Sequence, residues 1–138
     1  MSAPRSVPPA EPIFVAYFVV QAIVGIGLWV ALATSSTVRS WFELRPDTHA
    51  VMDAFVFADV AVVVVGSLLS AWGLRTGARW TVAVVAFTAG GIIYPTLYLV
   101  GWVSFTGAGA LCLAIMVPPS TLTCWIAYQT YAADRRAS

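Results

Sequence analysis

The chain has no lysine, a single histidine (His49), two cysteines and only six acidic residues among its 138 positions. Without lysine, and with a net charge of +1, it offers no basic patch for a nucleic acid. One histidine excludes bis-histidine haem ligation within the chain and a histidine-rich metal site. Cys112 and Cys124 stand twelve residues apart in one apolar run. In a helix that is about 18 Å along the axis, far beyond the ~7 Å limit for a disulfide. There is also no glycine-rich phosphate loop, no Ser-His-Asp set inside an apolar run, no arginine ladder and no carbonyl-filter motif. No cofactor and no metal is therefore expected. Charged residues amount to 9% of the chain, against roughly 25% in a soluble domain. So few charges cannot cover a folded surface in water.

What the chain does have is apolar length. Hydrophobic residues make up 60%, gathered into four stretches at 13–34, 51–74, 80–103 and 107–128. Each is long enough to cross a hydrocarbon core of about 30 Å, which needs roughly 20 helical residues. None alternates with the period of a barrel strand, and helices are then the remaining way to satisfy the backbone in lipid. The expected fold is an all-α, polytopic membrane protein: one four-transmembrane-helix antiparallel bundle over 13–132, with a proline-rich disordered tail at 1–12 and a C-terminal tail at 133–138. Ala31, Leu32 and Ala33 form a signal-peptidase-like triplet. The apolar run before them is longer than a signal h-region and only Arg5 precedes it, so the first stretch reads as a retained helix.

Arginines set the orientation. Arg5, Arg75, Arg79, Arg135 and Arg136 share one side; Arg39 and Arg45 lie on the other. The richer side is cytoplasmic by the positive-inside rule, so both termini are expected there. Alanine, valine and arginine in place of lysine suit a GC-rich bacterial genome, and the expected location is a bacterial cytoplasmic (inner) membrane. The loop at 35–50 is the one long connection, with Asp47 or Thr48 as N-cap candidates for the second helix.

Candidate site residues are the polar groups at membrane depth. Counting from the cytoplasmic end, Asp59 lies about 22 Å up, Tyr94 about 21 Å, Trp29 about 24 Å, and Gln21 and Ser120 about 12 Å. A carboxyl group at such depth costs roughly 2.5–3.5 kcal/mol even on a lenient scale. No arginine or lysine lies within a span to neutralise it. Asp59 must be neutral, hydrated or matched by an external cation, which makes it the first functional candidate; the bland alternative is a protonated carboxyl hydrogen-bonded to Tyr94, Ser120 or a freed carbonyl. Asp53 and His49 are one turn apart at the outer start of the same helix and form a candidate proton-entry pair, or a solvated helix start. Tyr94 and Tyr98 share a face, and Pro95 releases the Gly91 carbonyl while Pro118 and Pro119 release those of Ala114 and Ile115. Gln21 shares a face with Tyr17.

Three functions follow as expectations. The first is a pocket with Asp59 as proton donor or counter-ion, Tyr94 on its wall, and Asp53 and His49 as the entry pair at its mouth. Trp29, Gln21, Tyr98, Ser120 and Tyr17 would then bind a lipophilic small molecule, for binding or for isomerase- or cyclase-type acid–base chemistry. The second is a non-catalytic accessory subunit packed against a larger membrane protein. The third is a small transporter or proton pathway, assembled as a homodimer. Membrane lipids are partners in every case.

Overall fold

The computed structural model describes residues 11–43 and 49–137; of the side chains at 49–52 and 137 nothing is stated. The expected tail residues 1–10, and the N-cap candidates Asp47 and Thr48, lie outside the described residues. Among the described residues the chain is helical throughout, with no strand. The elements are α1 (Pro12–Thr34), α2 (Ser36–Phe42), α3 (His49–Asp59), a π-helical segment (Val60–Val65), α4 (Gly66–Thr76), α5 (Thr81–Thr106) and α6 (Ala110–Ala137).

Four of these stretches are long and apolar enough to cross a membrane: Pro12–Thr34, Asp53–Thr76, Thr81–Thr106 and Ala110–Arg136. In each, at most 28% of the most apolar window is buried inside the bundle. The remaining apolar surface, with Phe57 80% and Phe105 92% exposed, far exceeds what a soluble monomer leaves open. The bundle is an integral membrane protein whose solvent is lipid.

Local chemistry sets the helix ends. Pro12 occupies the first turn of α1, where its missing N–H costs nothing. The Ser35 hydroxyl accepts from the Val38 N–H and caps α2. Gly77 and Gly107 take the left-handed conformation that closes α4 and α5. The loop expected at 35–50 thus contains a short helix. The tail expected from 133 is instead the end of α6. Hydropathy falls away after Tyr128, but Ala132, Ala133, Arg135 and Arg136 are good helix formers, and Arg136 Nε donates to the Ala132 carbonyl at 3.2 Å.

The second span is not one regular helix. The Gly66 N–H reaches back five residues to the Ala61 carbonyl, the mark of the wider π turn. The segment holds five valines, whose β-branched side chains crowd the preceding turn of an α-helix. Its valines fill notches on both neighbours. Val63 and Val64 pack over Gly25 of α1, and a Cβ added there would stand 3.3 Å and 3.5 Å from them. On α5, Gly91 lies directly under Val62, with no room for a methyl group.

At one end of the bundle, Phe18, Ala71, Leu74, Val85 and Ile126 form the apolar core, with Phe14, Tyr17 and Ala127 packed against it. This brings the starts of α1 and α5 to the ends of α4 and α6. Many of the other buried side chains are hydroxyls, beside buried Ala22, Leu32, Val64, Ala89 and Ile92. Ser67, Ser70, Thr81, Thr88 and Thr123 are fully buried, and small polar residues of this kind let membrane helices approach and bond.

Candidate functional site

Asp59 is the last residue before the π segment, half-buried, within the second span. The Trp29 indole of α1 lies near its carboxyl group. These two residues, the acid and the deepest tryptophan of the first span, are brought together where α1 crosses the second span. An indole N–H is a donor only. Asp59 and Trp29 are both partly exposed.

A second polar cluster lies lower on α1. The Tyr17 hydroxyl donates to the Pro119 carbonyl at 2.9 Å. The Thr123 hydroxyl lies 2.7 Å from the same carbonyl, 2.8 Å from the Tyr17 hydroxyl and 3.2 Å from Gln21 Oε1. The Gln21 amide nitrogen has no acceptor among the described residues, so the cluster keeps one buried donor. The signal for Thr123 was available in the sequence only as a hydroxyl one turn beyond Pro119, and such residues commonly bond their own backbone. It does that and joins α1 to α6 as well.

Ser120 belongs to a third group. Its hydroxyl is 2.6 Å from that of Thr96 and donates to the Met116 carbonyl at 2.8 Å, while Thr96 donates to the Ile92 carbonyl at 2.9 Å. These carbonyls adjoin those that Pro95 and the Pro118–Pro119 pair release. The two proline sites are therefore stitched together by hydroxyls across α5 and α6, and Ser120 is committed there.

The other candidates lie apart. Tyr94 is 73% exposed on the outer face of α5, and no described hydrogen bond joins it to Asp59. Tyr98, also exposed, stacks on Trp102 with ring centroids 6.2 Å apart. Asp53 is mostly exposed and forms an ion pair with Arg39 at 2.5 Å; Arg39 also contacts Glu43 at 3.3 Å. The hydrogen bond to Asp53, reinforced by both carboxylates, holds the Arg39 guanidinium above its usual pKa. His49 begins α3, and its side chain lies outside the described residues. Among those residues no group of three or more His, Cys, Asp or Glu side chains is placed to hold a metal.

Compared with protein-family models, with curated proteins and with solved structures, the chain matches none.

Proposed function

We propose that this integral membrane protein binds a lipophilic small molecule through Asp59 and Trp29, with both termini in the cytoplasm of a bacterial cell. The observation that supports the reading is the pairing itself. It sets a carboxyl group within a span near an indole, at the junction of an α-helix with a π-helical segment. Such π segments occur often at functional sites, and acids inside spans are functional candidates by default. The span arginines Arg75, Arg135 and Arg136 all stand at the far ends of their helices from Asp59, so the ligand supplies the match: a basic nitrogen for which Asp59 is counter-ion, or a proton-accepting group to which Asp59 donates. The Trp29 ring favours a cationic head as well. Proton donation from a carboxyl group in apolar surroundings would extend binding to isomerisation or cyclisation.

The test is a titration of the purified full chain with N,N-dimethyldodecylamine and, separately, dodecanol, read by tryptophan fluorescence. The amine is expected to bind wild type at least tenfold more tightly than Asp59→Asn, with the signal largely lost in Trp29→Phe and dodecanol unable to tell the variants apart. Equal amine binding by wild type and a folded Asp59→Asn variant would overturn the reading. An accessory-subunit role is the second reading; it is favoured by the buried Ser and Thr hydroxyls, most of which serve only to join helices.

A further inference from the structure

The end of the bundle that holds the Phe18–Leu74–Ile126 core also carries Arg75, Arg79, Arg135 and Arg136, all exposed, against Glu11 and Asp134. At the opposite end the described charges are Arg39 against Glu43 and Asp53. The last two turns of α6 carry a groove of about 540 Å³ lined by Tyr128, Gln129, Tyr131, Ala132, Arg135 and Arg136. By helical spacing Tyr128, Tyr131, Ala132 and Arg135 share one face. Tyr128 and Tyr131 are 66% and 52% exposed, at the level where the apolar part of the span ends. Arginines near a helix C-terminus are explained by the macrodipole alone. Two exposed phenols placed one and two turns before Arg135 on the same face are not, and Arg136 adjoins that face. Aromatic rings at the interface sit at headgroup level, and guanidinium groups pair bidentately with phosphate.

We infer that this groove is a binding site for the headgroup of an anionic phospholipid, held by Arg135 and Arg136 with the tyrosine rings against the glycerol and upper acyl region. The inference rests on the membrane placement of α6 and is independent of the Asp59 site. Each arginine beside an anionic lipid surface contributes about fivefold in affinity, so removing both costs about 25-fold.

The experiment is native mass spectrometry of the full chain in detergent, titrated with dioleoyl phosphatidylglycerol or dioleoyl phosphatidylcholine. Wild type is expected to retain phosphatidylglycerol selectively, the Arg135→Gln/Arg136→Gln variant to lose that preference by about 25-fold, and Arg135→Lys/Arg136→Lys to keep most of it. Both arginines are exposed, so folding is checked simply by an unchanged circular dichroism spectrum. Equal retention of the two lipids by wild type overturns the inference. So does full preference in the glutamine variant, loss only in Arg75→Gln/Arg79→Gln, or displacement of the lipid by millimolar inorganic phosphate, which would mark a free-phosphate site.

Discussion

Thr123 holds three partners from a fully buried position, and its neighbours Tyr17 and Gln21 have few other partners at that depth. Hydrogen bonds between membrane helices are worth about 0.6 kcal/mol on average, since the membrane-inserted unfolded chain also finds partners. A double-mutant cycle of Tyr17→Phe and Thr123→Val, followed by unfolding in mixed micelles, is expected to give a coupling of about that size. A coupling near zero would mean that the two hydroxyls bond α6 independently. At this scale the sequence was readable in part. It marked Asp59, Trp29, Gln21 and Tyr17 by polarity and depth. It could not place Tyr94 and Tyr98. In a span that is apolar on every side, spacing groups residues by face without saying which face turns inward.

The π segment shows the same limit in an element. A run of Val, Ala and Val residues carries no polar marker, so nothing in 60–65 distinguishes a wide turn from an α-helix. The spans themselves were legible, because length and hydropathy are what the bilayer selects. The short α2 and the last turns of α6 were less so, since they lie where hydropathy gives no signal. Packing around the π segment makes a sharp contrast between adjacent glycines. A Cβ at Gly91 would collide with Val62, whereas one at Gly90 meets no atom within 4 Å. Gly91→Ala is expected to destabilise the protein by about 1–3 kcal/mol, the usual cost of overpacking. Gly90→Ala should leave stability unchanged or slightly raised, because alanine is the better helix former. Thermal unfolding of the two variants in one detergent checks this, and equal behaviour would mean that Val62 does not pack over α5.

The whole molecule is a bundle joined by small hydroxyls and glycine notches, with a basic, aromatic-rimmed end and an opposite end where Arg39 ties α2 to the start of the second span. Four spans long and apolar enough to cross a membrane make it a multi-pass protein. The hydroxyl joints connect the helices, and Asp59 stands within the second span beside the Trp29 indole. The most direct test is mass spectrometry of small molecules released from the purified wild-type protein and from Asp59→Asn. A discrete lipophilic compound held by wild type, and lost from a mutant that still folds, is the expected result and would name the ligand class. Bulk lipid alone in both preparations would contradict the account and leave the bundle as a partner for another membrane protein.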